Sequence, residues 1–250
     1  MASGGGPAAA RPAGAAHGLV FRRLVPYDEG VRLQEQLVRA RIEERIPDVV
    51  LFLEHAPVIT LGARSRPGHV LLSPAELDAR RIGMSRTSRG GDVTFHGPGQ
   101  MVMYPIIRLG EREADAHGYL RNLEEIAIRT AGDFNVRAFR RDGLTGAWTS
   151  GGKLAAIGIR FKRWVTFHGM SFNVSPDLSG FSAIVPCGLH GESVTSLRDL
   201  LGGAAPSVAE VRERMARHFA DVCGRPLAWS DAPDSAQDLL RAVELFKNAK

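Results

Sequence analysis

From Lys153 onward the chain alternates. Ala155, Ile157, Ile159 and Phe161 fall on one face, and Leu154, Ala156, Gly158 and Arg160 on the other, which is the period of a β-strand. A basic turn at Lys162 and Arg163 leads into a second run, Trp164 to Val174. The pattern therefore predicts a hairpin with Gly158 and Gly169 in its interior, where missing side chains invite the close approach of a ligand. After Pro176, Asp177 and Gly180 the chain presents Cys187 between Pro186 and Gly188, on a loop with little side-chain bulk beside it.

The remaining periodicities predict the scaffold. Leu19 to Leu24 reads as a strand. Tyr27, Val31, Val38 and Ile42 recur at helical spacing, with Leu33 and Leu37 marking a second flank, and Pro47 stops that helix. Val49 to Leu53 and Val58 to Leu61 read as core strands around the bend Glu54 to Pro57, where the role of His55 stays open. Ser73, Pro74 and Glu76 start a short helix that Gly83 ends, and a further helix runs from about Asp115 to Thr130 with Tyr119, Leu123, Ile126 and Thr130 inward. Ser207 and Glu210 form a capping box for a helix whose core stripe is Val208, Val211, Met215, Phe219 and Val222, closed by Gly224 and Pro226. Strands outnumber helices between Arg89 and Val174 and short loops join many of them. The fold class expected is α/β (α+β), a mixed, largely antiparallel sheet packed with helices. Residues 1–17, rich in Ala, Gly and Pro, read as a flexible tail, 18–228 as one catalytic domain, and 229–250 as a linker with a short helix from Ser235 to Phe246.

Composition narrows the function. The net charge of +5 calls for an acidic partner. Aromatic residues are only 7% and no nucleic-acid motif accompanies the arginines, so nucleic acid is not the expected partner. Apolar runs fall short of the ~20 residues of a membrane span, so no membrane association is expected either. Two cysteines give no disulfide framework, and no CxxC or HExxH spacing exists, so neither a metal nor another cofactor is expected and the compartment is read as cytoplasmic.

The candidate chemistry is that of a thiol. Cys223, in a helical segment, reads as a small buried hydrophobe, whereas the Pro-Cys-Gly setting of Cys187 is a loop of the kind that carries reactive groups. Lys153 is the cation best suited to activate it. Between Arg89 and Gln100 lies RGGDVTFHGPGQ, in which Gly90 and Gly91 let backbone amides approach a ligand and Arg89 offers a planar cationic fork. This is not a phosphate loop, and the Gly-Gly-Lys at 151–153 is not one either: Ala147 stands where the motif needs Gly, and Leu154 replaces its Ser or Thr. No GxSxG elbow occurs. The remaining constellation of Cys, Lys and His points to acyl transfer through a thioester.

These residues also carry a resemblance. EHAPVITLG at 54–62, RGGDVTFHGPGQMVMYP at 89–105, GKLAAIGIR at 152–160, FHGMSFNV at 167–174, and IVPCGL with VTSL at 184–197 resemble the octanoyltransferases of lipoate biosynthesis. The resemblance implies the fold of the biotin and lipoate protein ligase catalytic domain. It also implies octanoyl (or lipoyl) transfer from acyl carrier protein to a lysine of the lipoyl domains of 2-oxoacid dehydrogenases or of the glycine cleavage H protein. Carried over by position, Cys187 is the acyl-thioester nucleophile and Lys153 its activator. The implied substrate site has three parts: the turn Arg89, Gly90, Gly91 and Asp92, the run Val93, Thr94, Phe95 and His96 after it, and the hairpin positions Ala156, Ile157, Gly158, Gly169, Met170 and Ser171. Small residues on the facing strands would leave a slot for an aliphatic chain. The alternatives are an ATP-dependent lipoate protein ligase, which needs no cysteine, and a non-enzymatic carrier-protein-binding module, which has no use for both Lys153 and Cys187.

Overall fold

A computed structural model describes residues 14–66, 68–185, 192–233 and 236–248. Among them, eight strands form one sheet in the order β11, β1, β2, β6, β10, β9, β8, β7. Here β1 is Ala16–Val25, β2 Val49–His55, β6 Gln100–Ile106, β7 Phe139–Arg141, β8 Leu144–Thr149, β9 Gly152–Lys162, β10 Val165–Asn173 and β11 Leu227–Asp231. The pairs β1–β2 and β1–β11 are parallel and all others antiparallel, as the mixed, largely antiparallel reading required. Helices cover both faces. Val50 and Phe52 of β2 pack with Leu123 and Ile126 of α3 (Ala116–Gly132), with Leu197 of α4 (Leu197–Leu201), and with Met215 and Phe219 of α5 (Val208–Cys223). Val49, Leu51 and Leu53, alternating with them, pack with Leu33 and Leu37 of α1 (Tyr27–Ile42) and Leu239 and Val243 of α6 (Ala236–Asn248). Burial on both faces explains why Val49 to Leu53 is an unbroken apolar run.

The bend after β2 delivers β3 (Val58–Leu61) to a second, three-stranded sheet rather than to the first. Its order is β4 (Gly83–Arg86), β3, β5 (Val93–His96). Helix α2 (Pro74–Ala79) starts at the expected capping box of Ser73 and Glu76, and α5 at that of Ser207 and Glu210. In α1 the buried face is Leu33, Gln34, Leu37 and Val38, while Val31 and Ile42 are only half-buried. Gln34 belongs on that inner face because its side-chain oxygen accepts the His168 N–H at 2.7 Å.

The chain ends differ from expectation. Ala16 and His17, read as tail, lie in β1: the Ala16 N–H donates to the Pro226 carbonyl and that of His17 to the Asp48 carbonyl, both at 2.8 Å. Trp229 to Asp231, read as the start of a linker, lie in β11, and Trp229 covers Gly18 and packs at a tilt against Phe52, ring centroids 5.2 Å apart. Among the described residues no helix is long and apolar enough to cross a membrane, and no cluster of three or more His, Cys, Asp or Glu is placed to hold a metal ion.

Candidate active site

The hairpin is β9 and β10, with Gly158 opposite Gly169 as the alternation predicts. The glycine-rich turn before β5 crosses over it, and the Gly90 N–H donates to the Ile159 carbonyl at 3.1 Å. Three further backbone bonds stitch this turn to residues 62–64: Gly62 N–H to Asp92 O, Ala63 N–H to Arg89 O and Arg64 N–H to Gly91 O. Arg89 pins it from below. Its guanidinium donates to the Thr60 carbonyl at 2.7 Å, to the Thr60 hydroxyl at 2.8 and 3.2 Å, and to the Gly90 carbonyl at 3.1 Å. The cationic fork thus ties the turn to β3.

Turn and hairpin enclose a cavity of about 640 Å³. Arg89 to Thr94, His96, Lys153, Ala156, Ile157, Gly158, Gly169, Met170 and Ser171 all border it. Phe95 does not. In β5 it alternates away from Thr94 and His96 into the small-sheet core beside Ile59 and Leu77, against Phe181 at 5.4 Å. The two hairpin glycines also serve differently from the expected slot. A Cβ on Gly158 would stand 2.8 Å from the Gly90 carbonyl and 3.1 Å from Arg89 Cδ, and one on Gly169 would collide with the Met103 carbonyl and lie 2.9 Å from Pro105 Cδ. Their bareness admits the crossing turn and the neighbouring strand, and the cavity lies alongside.

Lys153 is buried. Its Nζ sits 4.9 Å from the centroid of the Trp148 ring, a cation–π distance. Its backbone pairs with the chain beyond residue 191, the N–H to Ser193 O at 2.8 Å and the carbonyl from Thr195 N–H at 3.1 Å. Cys187 lies outside the described residues. The described chain stops at Val185, whose N–H donates to the carbonyl of the cavity residue His69 at 2.9 Å. It resumes at Glu192, which accepts both guanidinium nitrogens of Arg141 at 2.6 and 2.8 Å. Cys223 does not border the cavity, and burial pushes its thiol up to about 12, as expected of a structural cysteine.

The structure adds aromatic and imidazole groups whose part in the site the sequence left open. Tyr27, Tyr104 and His168 border the cavity, and His55 lies behind them. His55 Nδ1 is 2.7 Å from the Val25 carbonyl, which can only accept, so Nε2 takes the hydrogen of the Tyr104 hydroxyl at 2.8 Å. His96 Nδ1 lies 2.6 Å from Gln100 Oε1, which fixes the proton on Nδ1 and leaves Nε2 as an acceptor. Burial lowers His55 to about 4, and burial with the neighbouring His55 lowers His96 to about 3. Burial with the Arg89 charge lowers His168 to about 3. All three are neutral near pH 7. The signal available in sequence was the placement of His55, His96 and His168 within three of the stretches that carry the resemblance, but neither period nor spacing joins them.

The family described as lipoyl protein ligase A/B catalytic domain matches residues 26–220. The chain belongs to this family. Family members named octanoyltransferase include that of Chloroflexus aurantiacus, 46% identical over 201 residues, spanning 79% of this chain and 90% of the relative. That of Gloeobacter violaceus is 48% identical over 207 residues, spanning 82% and 90%. The fold is shared with a bipartite lipoate protein ligase from Thermoplasma acidophilum, with a TM-score of 0.68 at 15% identity over 94% of each chain.

Proposed function

We propose that this protein transfers an octanoyl group from acyl carrier protein to a lysine of a lipoyl domain, in lipoate biosynthesis, through an acyl thioester on Cys187. The observation that carries this reading is the convergence of Lys153 and the substrate residues foreseen from sequence, Phe95 excepted, on one cavity bordered by His69 and Lys153. Each of those two residues bonds the chain on one side of the segment that holds Cys187. The acceptors are lipoyl domains of 2-oxoacid dehydrogenases and the glycine cleavage H protein, and the setting is cytoplasmic.

Lys153 as an ammonium favours the thiolate of Cys187. The thiolate attacks the carbonyl carbon of the donor thioester, and the pantetheine thiolate departs, taking a proton from Lys153. The amine of the acceptor lysine, having lost its own extra proton to solvent, then attacks the acyl-enzyme. An amide forms, Cys187 leaves as thiolate, and the amine's proton passes to Lys153, which restores the starting pair. Neither half requires nucleotide, because the donor thioester is already activated.

Intact mass after mixing with octanoyl carrier protein tests the proposal. The expected result is an increment of one octanoyl group without ATP or magnesium, kept in Cys223→Ser and lost in Cys187→Ser. A strict requirement for ATP and magnesium would replace this reading with that of a ligase.

A further inference from the structure

Beside the main cavity lies a hollow of about 10 Å³, bordered among others by Thr94, Gln100, Lys153, Ser171 and Asn173. Thr94, Lys153 and Ser171 border the main cavity too, so the hollow is a niche in its wall. Its volume is that of about one water-sized sphere, so the groups around it converge on the position of a single atom. Two of them are already committed. The Gln100 side-chain nitrogen donates to Phe95 O at 3.3 Å and to Asn173 Oδ1 at 2.9 Å, and its oxygen accepts from His96; Asn173 donates to the Thr195 carbonyl at 3.0 Å.

The hydroxyls of Thr94 and Ser171 differ. Both residues are more than nine-tenths buried, at 8% and 3% exposure, both border the main cavity, and neither hydroxyl has a hydrogen-bond partner among the described residues. Hydroxyls in a cavity wall with no protein partner are available to donate to a bound substrate. Acyl transfer supplies an acceptor for them. Each tetrahedral intermediate places negative charge on the former carbonyl oxygen, which donors held in fixed positions on the cavity wall stabilise. His96 cannot serve, since its one N–H is spent on Gln100.

We propose that the niche receives the carbonyl oxygen of the acyl thioester, with the Thr94 and Ser171 hydroxyls as its donors. The inference rests on the thioester reading above. Attack by the thiolate forms one C–S bond and moves the π pair onto the oxygen in the niche. Collapse returns that pair and breaks the other C–S bond, the leaving sulfur taking the electrons and then a proton from Lys153. Thr94 and Ser171 exchange no proton and only donate hydrogen bonds.

Rapid-mixing intact mass spectrometry on the full chain, with saturating octanoyl carrier protein, is the test. Ser171→Ala and Thr94→Val are each expected to slow acylation tenfold or more, and Thr94→Ser to recover most of the rate lost in Thr94→Val. The pH midpoint for alkylation of Cys187 by iodoacetamide, read in a Cys223→Ser background, should stay in place, because the niche acts on the carbonyl and not on the thiol. Folded variants that acylate within twofold of the unsubstituted protein would overturn the proposal. A dithioester donor, with sulfur for the carbonyl oxygen, makes the same test with no substitution. Sulfur is larger and a weaker acceptor, so acylation should fall at least tenfold, and an undiminished rate overturns the niche. Absence of any mass increment in the unsubstituted protein with the ordinary donor would instead overturn the thioester reading itself.

Discussion

His55, His96 and His168 are neutral because the fold buries them, and this sets a pH dependence. In the unfolded chain each titrates near 6.5, in the folded one at about 4, 3 and 3. The unfolded state therefore binds more protons as pH falls through 6.5, so stability fully present above that value drains away toward pH 4. Each proton contributes about 1.4 kcal/mol per pH unit once the unfolded imidazole is fully charged. Urea unfolding between pH 7 and 5, above the range of the carboxylates, should show a loss whose slope approaches three protons. A slope below one proton would mean that the three imidazoles are not held neutral. The position of His96 in the HGPGQ stretch was legible in sequence, but its tautomer was not, because Gln100 fixes it through a bond that only the folded turn creates. Phe95 shows another limit: in VTFH both faces are buried, so alternation offers no polar side by which to tell wall from core.

At the scale of elements, local chemistry was readable and crossings were not. Capping boxes and the hairpin register involve neighbours a few residues apart or one turn away. Gly158, by contrast, is bare because a turn from far earlier in the chain lies on it. Gly158→Ala should therefore displace the crossing turn and destabilise the protein by about 1–3 kcal/mol, as overpacking does. Octanoyl and four-carbon donors should lose rate alike in that variant. A selective loss of the longer chain would restore the aliphatic-slot reading of this glycine. Arg89→Lys is expected to cost a similar amount, about 1–3 kcal/mol, because an ammonium cannot span the Thr60 hydroxyl, the Thr60 carbonyl and the Gly90 carbonyl at once. Chemical denaturation of the two variants measures both effects.

For the whole molecule, the C-terminal segment is part of the sheet and its helical cover. Leu239 and Val243 of α6 are fully buried in the core that α1 also covers, and full burial of such side chains is worth about 1.5–3 kcal/mol each. Ending the chain at residue 226 should thus lower the melting temperature by about 6 °C or more, at 2–4 °C per kcal/mol for a chain of this size. A truncated form that melts with the full chain would make β11 and α6 ornaments of the fold. Polar residues around Asp231 hid this segment from a reading by composition, since β11 is an edge strand with only one neighbour to satisfy. The parallel pairing of β11 with β1 also bears on biosynthesis. While the ribosome is still making the chain, β1 can pair with β2 early, but its other side keeps a row of open backbone donors and acceptors until β11 has emerged. That is the interval in which a nascent chain is most exposed to pairing with another, and in which a chaperone that shields strand edges has something to bind.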